Sequence, residues 1–282
     1  MENIILSNKV TMPQEGYGVF QISNEETGRC VSDALACGYR LIDTAAAYMN
    51  EEGVGEAIKK SGIAREELFI TTKLWVQDAG YENAKKAIKT SLEKLGFDYI
   101  DLYLVHQPFG DYYGSWRAME EAYDAGILKA IGVCNFDEAR LADLCENVRI
   151  KPMVNQVEIH PFFQQNSLMD VMKEYGVASQ AWGPLSEGQK DIFNNELLKK
   201  IGDKYGKTVA QVILRWHVQR GVIIIPKSSK RTRMEENINI WDFELDSDDM
   251  EKIGSMDIGH SEIINHNIAG TARMFNQWKI HE

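Results

Sequence analysis

The sequence predicts an α/β fold, a (β/α)8 TIM barrel with an N-terminal β-hairpin and added helices, and three observations lead there. Short β-rich apolar runs alternate with longer segments of helical period along the 282 residues, which implies parallel strands joined by crossover helices. Eight such runs occur, at an average spacing of about 30 residues, and eight units suit a closed barrel better than an open sheet. No Pro/Ser-rich linker or low-complexity tract interrupts them, so residues 1–282 read as a single barrel domain.

Taken in order, IILSNKVTMPQEGYGVF has short alternating runs on either side of SNK, the pattern of a hairpin that caps the barrel bottom. The eight strands are then GVF (18–20), RLID (40–43), LFITTKLW (68–75), YIDLYLVH (99–106), LKAIGVCN (128–135), MVNQVEI (153–159), VASQAW (177–182) and VIIIP (222–226). Helical segments such as EEGVGEAIKKSG, YENAKKAIKTSLEKLG and SLMDVMKEYG lie between them, each with Gly where a helix ends. The gap before the last strand holds both NNELLKKIGDKYG and TVAQVILRWHVQRG, one of them an added helix. The tail from Ile258 to Glu282 is polar and weakly periodic and reads as a loop.

Composition narrows the function classes. Hydrophobic residues at 44% and charged residues at 26% are ordinary for a globular chain. A formal net charge of -11 opposes binding to phosphate backbones and anionic membranes. Cys30, Cys37, Cys134 and Cys145 have neither C-x-x-C nor zinc-ribbon spacing, so four free thiols and no metal are expected. With no leader pattern and no run near the roughly 20 apolar residues of a membrane span, a cytoplasmic protein is expected.

Four polar residues mark one face of the barrel. Asp43, Lys73 and His106 close or nearly close the second, third and fourth strands, and Tyr48 follows Asp43 by five residues. Carboxyl ends of barrel strands converge where βα loops build active sites. Together the four suit proton transfer at a carbonyl: Tyr48 as the acid, Lys73 lowering its pKa, Asp43 holding Lys73 charged, and His106 donating a hydrogen bond to the carbonyl oxygen. None can supply a hydride, so a cofactor is implied. The dinucleotide signature G-x-G-x-x-G is absent, because GYGVFQ ends in Gln. The phosphate site is instead expected after the last strand, where Lys227, Lys230, Arg231 and Arg233 gather with Ser228 in IPKSSKRTRMEEN.

In GYRLIDTAAAYMNEEGVGEAI, LFITTKLW, DYIDLYLVHQP, AIGVCNF, VNQVEIHP, AWGPLSEG and IPKSSKRTRMEENINIWDFEL, in that order, the chain resembles the aldo-keto reductase family, especially its compact prokaryotic and protist diketogluconate and glyoxal reductases. The resemblance implies NADPH bound at the carboxyl end of the barrel, with Asp43, Tyr48, Lys73 and His106 as the catalytic tetrad. It also implies that Asn135 and Gln156 bind the nicotinamide carboxamide, Trp182 stacks on the ring, and Pro184 and Leu185 line the pyrophosphate path. Lys227, Ser228 and Arg233 then match the 2'-phosphate site, and Glu236 and Asn237 lie near adenine. Phe20 and Trp75 match substrate-pocket positions, and the segment from Ile258 onward matches a specificity loop.

Three residues depart from the family pattern. Cys134 replaces Ser at a carboxamide-binding position and is a weaker donor. Trp182 replaces Tyr, and Gln107 replaces the Trp after the histidine, which is expected to make the substrate pocket more polar and roomier. The implied activity is reduction of an aldehyde or ketone, a small dicarbonyl or keto-sugar acid among the candidates, by a monomer or weak dimer. Two other readings stay open on the sequence: an NADPH-binding sensor without catalysis, and a Schiff-base lyase that uses Lys73.

Overall fold

The computed structural model describes residues 2–282. Strands β1 (Asn3–Ile5) and β2 (Thr11–Pro13) pair antiparallel, with Ile4 opposite Met12. This is the expected hairpin. Leu6 and Met12 are buried in the main core, and Asn8 Nδ2 donates to the carbonyl of Lys129, at the start of a barrel strand, at 2.9 Å. The hairpin therefore covers the amino-terminal end of the barrel, opposite the predicted site.

Eight parallel strands follow: β3 (Tyr17–Gly18), β4 (Leu41–Asp43), β5 (Phe69–Leu74), β6 (Ile100–Val105), β7 (Leu128–Cys134), β8 (Val154–Glu158), β9 (Ala178–Trp182) and β10 (Ile223–Ile224). Each pairs with the next in chain order. Closure comes from Glu15, which bridges Ile224 in parallel, and from Gly16 N and Gly18 N donating to the carbonyls of Ile224 (2.8 Å) and Pro226 (3.3 Å). A Cβ on Gly18 would lie 2.9 Å from the carbonyl oxygen of Ile225, so this seam needs glycine. All eight predicted strands are present. The first is shorter than predicted because Phe20 leaves the sheet for the cavity mouth, where it is 43% exposed.

The helices are α1 (Asn24–Ala36), α2 (Glu51–Ser61), α3 (Tyr81–Leu95), α4 (Tyr112–Asp124), α5 (Glu138–Asn147), α6 (Asn166–Tyr175), α7 (Glu196–Tyr205), α8 (Val209–Gln219), α9 (Arg231–Ile238), α10 (Ser247–Gly254) and α11 (Ala269–Gln277). Local signals start and stop them. Ser23 and Asp137 cap α1 and α5, Thr208 and Gln211 form a capping box on α8, and Gly62, Gly96 and Gly176 end α2, α3 and α6 in the left-handed region. The added helix is α7, which packs Leu198 and Ile201 with Ile213 and Trp216 of α8 in a second apolar cluster.

The tail departs from expectation. Residues 269–277 form α11 rather than loop, and only Thr271 and Phe275 of it are buried, too few to give a helical period. Phe275 joins Trp75, Val76 and Phe109 in a third apolar cluster at the carboxyl end of the barrel. The four cysteines are free thiols. Among the described residues no helix is long and apolar enough to cross a membrane.

Candidate active site

The strand register collects polar side chains inside the carboxyl end of the barrel. Asp43 ends β4 and Lys73 lies one residue before the end of β5, both buried. Lys73 Nζ makes an ion pair with Asp43 Oδ1 and donates to the Thr44 carbonyl at 2.9 Å and to Tyr48 Oη at 3.3 Å. A short 3-10 turn over Ala46–Tyr48 swings Tyr48 back over the strand end, and its ring lies 4.8 Å from Lys73 Nζ. His106 follows β6, with its backbone N–H still donating to Leu74 at 3.0 Å. Its ring stands edge-on to Tyr48 with centroids 5.6 Å apart. The tetrad named from strand ends is thus one contiguous cluster.

Its electrostatics follow from burial and from the ion pair. Burial disfavours the Lys73 ammonium, but the Asp43 carboxylate overrides that penalty and holds Lys73 above its ordinary value. For Tyr48 burial wins: the phenol is pushed up to about 12 although Lys73 pulls it down. That corrects the net lowering expected from the sequence, where the neighbouring lysine is legible and the depth of burial is not. Burial, then Lys73 and His266, holds His106 well below its ordinary value, so the imidazole is neutral. Its Nδ1 is buried without a partner. A proton there would be an orphaned donor, which favours the tautomer with the proton on Nε2.

Across the barrel, Gln156 of β8 donates from Nε2 to Asp43 Oδ2 at 2.8 Å and to Gln180 Oε1 at 3.0 Å. Asn135 follows β7 with a left-handed φ of 62°. Its Nδ2 donates to the His106 carbonyl (3.1 Å) and to Gln107 Oε1 (3.3 Å), while its Oδ1 accepts from Trp182 Nε1 (2.8 Å).

These groups border a cavity of about 640 Å³. It runs from Phe20, Tyr48, Trp75 and His106, past Asn135, Gln156, Trp182, Gly183, Pro184 and Leu185, to Lys227 and Arg233. The irregular segment 186–194 adds Glu187, Gly188 and Phe193, and the tail adds Ile263, Ile264, His266, Met274, Phe275 and Trp278. Glu187 and Gly188 close the AWGPLSEG motif, whereas Phe193 and the six tail residues carry no sequence signal of their own. Trp75 is buried, edge-on to His106 (5.3 Å), Phe275 (5.6 Å) and Trp278 (5.3 Å), and its indole N–H donates to the Trp278 carbonyl at 2.8 Å.

Several expected residues stand off the cavity. Lys73 and Cys134 lie buried behind its wall. Gln107 is buried and turned toward Asn135, so the pocket beside His106 is aromatic instead of more polar. The Ser228 hydroxyl accepts from Lys230 N at 3.0 Å within its turn. Glu236 Oε1 accepts from the Thr208 hydroxyl at 2.6 Å, and Asn237 is buried.

The donor set fits an elongated molecule with an anionic end and a flat polar end. Among the described residues Lys227 and Arg233 have no ion-pair partner, whereas Arg231 is paired with Glu235 and Asp33. The half-buried Trp182 face and the Gly183–Leu185 stretch line the cavity between that basic end and Tyr48.

Known proteins are similar to this chain in sequence and in fold. The chain is 51% identical over 257 residues to a glyoxal reductase of Bacillus subtilis, covering 90% of this chain and 92% of that protein. It is 45% identical over 259 residues to the methylglyoxal reductase DkgA of Escherichia coli, covering 91% and 94%. Among solved structures, a Bombyx mori aldo-keto reductase in complex with NADP superposes with a TM-score of 0.88 at 34% identity, covering 94% of this chain and 95% of that one. Residues 14–258, which span the barrel from its closing seam to the start of the tail, match the model described as the aldo/keto reductase family, and the chain belongs to that family.

Proposed function

We propose that this chain reduces aldehyde and ketone carbonyls, with small α-dicarbonyls and keto-sugar acids as the substrate class, using NADPH and taking the proton from Tyr48. The observation that carries this reading is the hydrogen-bonded line from Gln156 through Asp43 and Lys73 to Tyr48, which ends at a cavity beside a neutral His106. The names of the relatives, glyoxal and methylglyoxal reductase, support the dicarbonyl class.

The unpaired Lys227 and Arg233 would hold the 2'-phosphate, Trp182 the flat face of the nicotinamide, and Gln156 its carboxamide. When bound, NADPH supplies the hydride that reduces the carbonyl carbon. His106 donates from Nε2 to the carbonyl oxygen and orients it toward Tyr48 Oη. Tyr48 gives that oxygen a proton, and the Lys73 ammonium at 3.3 Å stabilises the phenolate left behind. Asp43 keeps Lys73 charged and fixed, while Trp75, Phe275 and Trp278 keep water from the reacting oxygen. A Schiff base at Lys73 is disfavoured, because an amine held protonated by Asp43 has no free electron pair.

In this reading the barrel is one cytoplasmic domain working as a monomer or weak dimer. Tyr48→Phe is expected to lower kcat by about 100- to 10,000-fold while the Kd for NADPH stays within about twofold. Wild-type turnover with intact cofactor binding would remove Tyr48 as the proton donor. Tight NADPH binding by the wild type without turnover of any carbonyl in a broad panel would favour a sensor.

A further inference from the structure

Gln180 lies on β9 directly beside Gln156 of β8, and its side chain is completely buried. Gln156 Nε2 donates both to Gln180 Oε1 and to Asp43 Oδ2. Both N–H bonds of Gln156 are thus spent inside the barrel wall, and its amide oxygen is the polar atom it has left for the cavity it lines. Rotating that amide by half a turn would set its oxygen against the Asp43 carboxylate and the Gln180 oxygen, three acceptors with no donor among them. Gln180 is locked in the same way, since its own reversal would face Nε2 to Nε2. In the orientation it keeps, Gln180 Nε2 is buried with no acceptor. An apolar residue of similar size would leave no such orphan, so what Gln180 contributes is its acceptor oxygen.

The neighbouring departures concentrate recognition on Gln156. Asn135 already spends Oδ1 on Trp182 and Nδ2 on His106 and Gln107. Cys134 offers a buried sulfur that does not reach the cavity.

We propose that Gln180 is a positioning residue for cofactor recognition: it holds Gln156 with its amide oxygen turned to the cavity, where that oxygen accepts an N–H of the nicotinamide carboxamide. The inference rests on the NADPH reading above.

The test compares NADP+ with its 3-acetylpyridine analogue, which keeps the ring carbonyl and lacks the amide N–H. Dissociation constants come from quenching of protein fluorescence, with 2',5'-ADP as a probe that lacks the nicotinamide altogether. The wild type is expected to prefer NADP+ over the analogue by roughly fivefold to tenfold, the range of one hydrogen bond. In Gln180→Met the preference falls toward one while 2',5'-ADP affinity and thermal unfolding stay near wild type. In Gln180→Glu, which keeps an acceptor, it is retained. If Gln180→Met does not fold, Gln180→Leu, which also lacks an acceptor, carries the same comparison. An unchanged preference in the Met or Leu variant overturns the proposal, and so does an equal loss in Gln180→Glu. Failure of the wild type to bind NADP+ would instead strike the cofactor reading itself.

Discussion

Removing Arg233 tests the cofactor end of the cavity, and the structure supplies both the expected size and an internal control. Arg233 reaches the cavity from α9, and among the described residues it has no ion pair. Its guanidinium is therefore free for a phosphate. A hydrogen bond to a charged group contributes about 1.5 to 3 kcal/mol, and because Arg233 is exposed and screened by solvent the lower end applies. Arg233→Ala should thus weaken NADPH by roughly 10-fold and leave NADH, which lacks the 2'-phosphate, within about twofold. Arg231 lies two residues away on the same helix but is tied to Glu235 at 3.0 Å and Asp33 at 3.9 Å. Arg231→Ala should therefore change neither affinity appreciably. Fluorescence titration of the three proteins with both cofactors, at low and high salt, gives the answer. Equal losses for NADPH and NADH, or an equal loss in both variants, would refute the assignment of the 2'-phosphate to Arg233.

Other consequences are open to direct measurement. With the Tyr48 phenol pushed up to about 12, reduction, which uses the protonated form, should be level across neutral pH. Alcohol oxidation, which needs the phenolate, should rise about tenfold per unit from pH 6 to 8; a level oxidation rate with a full substrate deuterium isotope effect would contradict this. Glu15 is wholly buried, and burial raises it from 4.5 to about 8 against the hydrogen bond from Trp241. The folded chain then keeps a proton that the unfolded chain has released, so stability falls as pH rises from about 4.5 to about 8, by an amount on the order of 5 kcal/mol at most. Glu15→Gln should gain thermal stability over the wild type progressively from pH 5 to 8, and a constant difference in Tm would count against it. Trp278→Ala removes an edge contact with Trp75 but leaves the backbone carbonyl that Trp75 Nε1 uses. It should raise KM severalfold for bulky aromatic aldehydes and little for a small dicarbonyl, and an equal rise for both would show that Trp278 does not contact substrate.

The parts of this molecule legible in sequence are those whose signal is local and periodic. β5, β6 and β7 are six or seven residues long and almost wholly buried, so their apolar runs announce themselves. The tetrad was legible because Asp43, Lys73 and His106 interrupt such runs at their ends. In α11 only Thr271 and Phe275 are buried, and two positions a turn apart do not make a period. The Tyr48 shift fails to show for a different reason: the lysine that lowers it sits in a motif, while the burial that outweighs it comes from residues far apart in the chain, Phe20 and His106 among them.

Gln107 shows the remaining limit. Its place beside His106 in the chain puts it in the substrate pocket on paper, but a tight turn in which Phe109 N donates to the Gln107 carbonyl at 2.8 Å carries the chain away, and the side chain meets Asn135. Asn135 in turn binds Trp182. Gln107 and Trp182, two departures from the family pattern that look independent along the chain, are therefore the two ends of one network clamped on the same asparagine. A substitution at Gln107 should accordingly be felt in cofactor affinity through Asn135 before it is felt in substrate choice. Where side-chain amides choose their partners, adjacency in sequence says less than which strand end supplies the opposite donor.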